Sequence, residues 1–160
     1  MQLIIMRHGQ ARALTGAHAD ADRALTDEGR RQACAAARWL KTSGYQPLSL
    51  WVSPYRRAQQ TADEVAAVIG GLARREQANI TPNDAPGAFL SELDAAGDGV
   101  MLVSHNPFVS ALIGLLVEGD ASRGPVMGTA SIAVLSGEFW APGCCRLEAL
   151  WHEHEHRDGQ

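Results

Sequence analysis

Short apolar runs that end on polar residues or glycine recur along the chain, and stretches with helical spacing separate them. Leu3-Ile4-Ile5-Met6 runs into Arg7-His8-Gly9, Leu48 to Val52 into Ser53-Pro54, and Val100-Met101-Leu102-Val103 into Ser104-His105-Asn106-Pro107. Each run suits a short buried strand, although four apolar residues cannot by periodicity alone be told from a buried helix segment. After a loop over 10–25, Thr26-Asp27-Glu28 supplies a capping hydroxyl and first-turn acids, and Ala33, Ala36, Ala37 and Leu40 follow at helical spacing until Gly44. Ser53-Pro54 predicts a second helix start, serine as cap and proline at the first helical position, with Ala58, Ala62, Val65, Ala66 and Ile69 on one face before Gly70-Gly71. Ile80-Thr81-Pro82 reads as a brief edge strand, because proline is poorly tolerated in a central one. Residues 87–96 read as a short helix through Phe89, Leu90 and Leu93. Asn106 as cap and Pro107 as opener predict a helix that is apolar almost all round, from Phe108 to Val117, and therefore deeply buried. A Gly-rich loop over 119–129 precedes Ser131 to Leu135 and Cys145 to Trp151, two strands with too little chain between them for a crossover helix, which leaves an antiparallel pairing open.

Composition narrows the class. With 160 residues, 46% of them hydrophobic and 20% charged, the chain is expected to fold as one ordinary globular domain. No apolar run approaches a membrane span and the N-terminus lacks the pattern of a signal peptide, so no membrane association and a cytoplasmic location are expected. A formal charge of −4 argues against nucleic acid as a partner, and any anion must be met by a local arginine cluster. Cys34 and the adjacent Cys144 and Cys145 have no Cys-x-x-Cys spacing, which points to neither a disulfide framework nor a zinc site.

The candidate chemistry lies at the ends of the apolar runs, since ligands of open α/β sheets gather outside the carboxyl ends of strands. Arg7 offers a planar fork of donors suited to phosphate or carboxylate, and a neutral His8 beside it can serve as nucleophile, base or metal ligand. His105 repeats the placement of His8 beside a helix N-terminus, where free N–H groups and the dipole favour anions. A buried histidine satisfied by a neighbour is the alternative reading of it. On position alone Arg57 reads as an exposed arginine in a first helical turn and His18 as a solvated loop histidine. His152, His154 and His156 alternate with glutamates and could line one face of an extended strand for a metal; a solvated terminus is the simpler reading.

Taken together, Arg7-His8-Gly9, Ser53-Pro54-x-x-Arg57-Ala58-x-x-Thr61 and Ser104-His105 resemble the motifs of the histidine phosphatase superfamily, in that family's order. The short chain, the Met-Arg-His-Gly opening and Val-Ser-Pro-x-x-Arg-Ala are similar in particular to the small SixA-type phosphohistidine phosphatases. The resemblance implies the phosphoglycerate-mutase-like fold, here a single-domain three-layer α/β/α sandwich with a mostly parallel central sheet over 1–151 and a flexible tail over 152–160. It further implies His8 as phosphoryl-accepting nucleophile, Arg7 and Arg57 as clamps on the phosphoryl oxygens, and His105 as a further positive donor. No cofactor and no metal are implied, because the arginines take the electrostatic role of a cation. The acidic proton donor of larger relatives has no matching glutamate; Asp84 is a candidate substitute, and Gln10, where many relatives carry an acid, a candidate phosphate contact. The expected substrate is a phosphohistidine-bearing protein such as a phosphotransfer domain, acted on by a monomer. A small-molecule phosphomonoesterase and a non-catalytic phosphohistidine-binding module are the alternatives.

Overall fold

Residues 1–16 and 18–153 are described by a computed structural model. Along the chain run β1 (Gln2–Arg7), α1 (Asp27–Thr42), β2 (Ser49–Val52), α2 (Arg56–Ile69), β3 (Ala73–Glu76), α3 (Pro86–Ala96), β4 (Val100–Ser104), α4 (Phe108–Glu118), β5 (Ile132–Gly137) and β6 (Cys145–Trp151), with a 3₁₀ turn at Asp20–Asp22. The strands form one six-stranded sheet in the order β3-β2-β4-β1-β5-β6. The first four of that order are parallel, whereas β5 pairs antiparallel with both β1 and β6. The antiparallel option for the last two strands is the one adopted.

The period-two alternation of a strand sorts its apolar residues into two cores. Leu3, Ile5, Trp51, Val100 and Leu102 face Phe89 and Leu93 of α3 and Phe108, Leu112 and Leu116 of α4. Ile4, Met6, Leu50, Val52, Met101 and Val103 face Ala33, Ala37 and Leu40 of α1 and Ala58, Ala62 and Val65 of α2. Helices therefore cover both faces of the sheet in a single-domain three-layer arrangement, and the near-continuous apolar character of β1 and β4 follows from burial on both sides.

The helix α1 starts as its residues dictate, with Thr26 Oγ1 accepting the Gly29 N–H at 2.9 Å. Three other expectations are corrected. The edge strand is Ala73–Glu76, exposed throughout, and not Ile80–Pro82. Its charged residues hid it from a hydrophobicity reading, yet charge is what a free sheet edge favours, and Arg75 lays its guanidinium 3.7 Å from the centroid of the Trp51 ring. Ile80 is buried in a turn where its carbonyl accepts the Ser104 hydroxyl at 2.5 Å. The second helix begins at Arg56 and not at Pro54, without a side-chain cap, so Ser53 is free for another partner. In α4 the cap position belongs to Pro107, and Asn106 donates from Nδ2 to the Met127 carbonyl at 2.8 Å.

Candidate active site

Register brings the motifs together. In the parallel pairing of β1 with β4, Arg7 lies opposite Ser104, so His8 and His105 leave the sheet side by side. Their ring centroids are 5.1 Å apart. On the other side of β4, Ser53 follows β2 and donates its N–H to the Val103 carbonyl at 3.0 Å. Behind them the turn after β1 is pinned to α1 and α2. A Cβ on Gly9 would lie 2.3 Å from the Gly29 carbonyl oxygen, so only glycine allows this approach. The Gly9 N–H donates to Thr61 Oγ1 at 3.0 Å, and that hydroxyl donates to the Arg57 carbonyl at 2.8 Å.

His8 is 7% exposed, and its Nδ1 lies 2.6 Å from the Gly9 carbonyl oxygen. A carbonyl can only accept, so Nδ1 carries the proton and Nε2 the lone pair. Arg57 Nε donates to that Nε2 at 3.2 Å. Burial first of all, then the guanidiniums of Arg57, Arg7 and Arg23, pull the His8 pKa down to about 3 despite the carbonyl partner. The ring is therefore neutral at physiological pH, with its lone pair on Nε2. Arg57, expected on position alone to be exposed, is 4% exposed at the floor of the cleft.

His105 is 1% exposed; its Nε2 lies 2.6 Å from Ser53 Oγ, and its Nδ1 is buried without a hydrogen-bond partner among the described residues. The Tyr55 N–H donates to Ser53 Oγ at 3.4 Å, so the serine oxygen bridges that N–H and the His105 ring. Burial, His8 and Arg57 lower the His105 pKa to about 2, so the ring is neutral at physiological pH. Arg7 spans the opposite wall: Nη1 donates to the Met127 carbonyl at 3.1 Å while its buried Nε has no partner among the described residues.

These side chains line a cleft of about 410 Å³ together with Gln10, Asp20 and Asn106. Gln10 reaches the cleft, but its Oε1 accepts the Thr26 hydroxyl proton at 2.8 Å. Asp84 is not part of the lining; its Oδ2 accepts the Thr81 N–H at 2.8 Å and the Thr81 hydroxyl at 2.6 Å, a local turn bond. Asp20 and Arg23 line the cleft without having been singled out from sequence, and Ser53, read there as a cap and as part of the Arg57 motif, meets the His105 ring. The two loop residues sit in a stretch with no period, and Ser53 was absorbed by its reading as a cap. His18 lines a separate surface hollow. His152 Nδ1 lies 2.5 Å from Ser131 Oγ, and His154 and His156 fall outside the described residues. No group of three or more metal-ligating side chains occurs among the described residues.

Such a cleft combines a lone pair held in place with guanidinium and imidazole N–H donors around it, the requirements of phosphoryl transfer to nitrogen. Comparison with known proteins points the same way. The pattern of the histidine phosphatase superfamily (branch 1) matches residues 3–80. The phosphohistidine phosphatase SixA of Escherichia coli (strain K12) is 34% identical over 160 residues, covering 92% of this chain and 97% of its own. A structure of the protein histidine phosphatase SixA complexed with tungstate superposes with a TM-score of 0.87 at 29% identity, over 98% of this chain and 99% of that one. A mycobacterial glucosyl-3-phosphoglycerate phosphatase superposes with a TM-score of 0.68 at 25% identity, over 92% of this chain and 97% of that one.

Proposed function

The chain belongs to the histidine phosphatase superfamily, and we propose on that footing that it hydrolyses phosphohistidine on a protein through a phospho-His8 intermediate. The observation that carries the reading is the fixed tautomer of His8, with Nδ1–H on the Gly9 carbonyl and Nε2 turned to Arg57 in a cleft shared with Arg7 and His105. In the first step the Arg57 Nε–H moves from His8 Nε2 to a phosphoryl oxygen, and the freed lone pair forms a bond to phosphorus as the bond to the substrate imidazole breaks. A substrate ring protonated on its other nitrogen leaves as neutral imidazole. Phospho-His8 is then cationic, its Nδ1–H still on the Gly9 carbonyl. Water attack releases dihydrogen phosphate and returns the neutral ring, so His8 neither gains nor loses a proton at Nδ1. Arg7, Arg57 and His105 supply donors to the phosphoryl oxygens, which makes the reaction metal-independent in this proposal.

Incubation with a phosphohistidine phosphotransfer protein should release phosphate, also after treatment with a chelator, and rapid quenching should trap acid-labile, base-stable phosphate on His8. His8→Ala should abolish both. A label on His105 instead, or full activity of the variant, would overturn the assignment. The similarity to a glucosyl-3-phosphoglycerate phosphatase supports one alternative, a small-molecule phosphomonoesterase using the same residues. The expected enzyme is a monomer acting in the cytoplasm; no helix among the described residues is long and apolar enough to cross a membrane.

A further inference from the structure

The loop between β1 and α1 carries cleft residues that the steps above leave without a part, Asp20 among them. Asp20, at the start of the 3₁₀ turn, meets Arg57 twice: its backbone carbonyl accepts from Nη1 at 2.7 Å and its carboxylate Oδ2 accepts from Nη2 at 3.1 Å. The other carboxylate oxygen accepts from Arg23 Nη1 at 3.0 Å. Since Arg57 Nε is on His8, three of the five guanidinium N–H donors have a partner, and Asp20 takes two of those three, one of them through its carboxylate. Burial favours the neutral acid, but the hydrogen bonds and charges of Arg23 and Arg57 outweigh it and hold the carboxyl below its ordinary range, so the group is an anion at neutral pH.

We propose that Asp20 is a built-in competitor for phosphate, an internal anion that takes the Arg57 donors a phosphoryl group would use and thereby weakens the hold of the cleft on the product. The inference rests on the reading of the cleft as a phosphoryl site. Two desolvated guanidiniums bind a phosphate dianion through strong charge-assisted bonds, and tight binding of the product does nothing to lower the barrier of the chemical step. A carboxylate in the same cleft opposes the dianion by like charge and competes with it for the Arg57 guanidinium. Arg23 gives that carboxylate a partner it keeps after the exchange.

A bracing role, in which Asp20 only orients Arg57, predicts the opposite sign. Removing a brace loosens phosphate binding, whereas removing a competitor tightens it. The test is calorimetric titration of the full chain with inorganic phosphate, in the parent, Asp20→Asn and Asp20→Ser. Asparagine keeps an acceptor for Nη2 without the charge, and the Asp20 side chain is 44% exposed on its turn, so both variants are expected to fold, which thermal unfolding checks. Both should bind phosphate about three- to tenfold more tightly, in the range of a partly exposed charge interaction. Phosphate should also become a correspondingly stronger inhibitor of aryl phosphate hydrolysis. Unchanged or weaker binding in Asp20→Asn reduces Asp20 to a brace and overturns the proposal. A parent protein that binds no phosphate would overturn it together with the phosphoryl reading of the cleft.

Discussion

Two neutral histidines buried beside two guanidiniums are a standing liability in acid. An unfolded histidine titrates near its ordinary pKa of about 6.5, while the native rings of His8 and His105 are held down to about 3 and about 2. Between those values the unfolded chain takes up protons that the native protein refuses, so stability is complete above pH 6.5 and falls as the pH drops toward 3. By pH 5 the loss is on the order of 2 kcal/mol from each ring. Urea unfolding of the parent and of His105→Asn at pH 7 and pH 5 measures it; the variant should lose less on acidification, and equal losses would sink the account. Arg57 tests the same electrostatics from the other side. Arg57→Ala should slow phosphoryl transfer by about 10²–10³, the cost of one lost oxyanion donor, and raise the His8 pKa, which an NMR titration of the ring reads directly. At this scale the histidines and Arg7 were legible, because an apolar run delivers each of them to a strand end. The burial of Arg57 was legible only through the motif, and Asp20 was not legible at all, since it meets Arg57 across 37 residues from an aperiodic loop.

The elements converge on the turn after β1, where α1 comes closest to the site. A Cβ on Gly29 would stand 2.0 Å from the Gln10 carbonyl oxygen, and neither backbone can yield while Thr26 caps the helix and the Gln10 carbonyl accepts the Thr26 N–H at 3.0 Å. Gly29→Ala is therefore expected to lift the first turn of α1 off the Arg7-His8-Gly9 turn, costing about 1–3 kcal/mol as overpacking does, with a matching loss of activity. Gly87→Ala in α3 is the control: a Cβ there meets nothing within 4 Å, and its stability should be unchanged or slightly higher. Thermal unfolding of the two variants side by side decides it. The helices and the central strands were readable because burial on a fixed face imposes a period. The edge strand β3 was not, since an element with one neighbour and an exposed surface has no apolar pattern to show. The start of α2 was missed for a related reason: a serine before a proline looks like a cap, and only the neighbouring strand reveals that its hydroxyl meets His105.

At the scale of the whole molecule, the acids in and around the cleft bear on the substrate class. Asp20 is the acidic residue in its lining and is held ionised by Arg23 and Arg57, and Asp84 lies outside the lining with its carboxylate on Thr81. Among the described residues that line the cleft, no carboxylic acid is placed to hand a proton to a departing oxygen at neutral pH. A phosphohistidine needs none, since its ring is protonated before cleavage and leaves neutral, but an alkyl ester must expel an alkoxide and depends on a positioned acid. Hydrolysis of phosphate esters by this protein is thus expected to depend steeply on leaving-group basicity: aryl esters intermediate, simple alkyl esters poor, phosphohistidine fastest. Asp84→Asn should leave phosphohistidine hydrolysis unchanged within about twofold, because a turn bond at a partly exposed site is worth little to the chemistry. The measurement is kcat/KM across esters of graded leaving-group pKa, with phosphohistidine alongside and with Asp84→Asn in parallel. A flat dependence, or alkyl esters turned over as fast as phosphohistidine, would require a proton donor in the cleft. It would also move the small-molecule phosphatase ahead of the phosphohistidine enzyme, and a slope that steepens in Asp84→Asn would name that donor as Asp84.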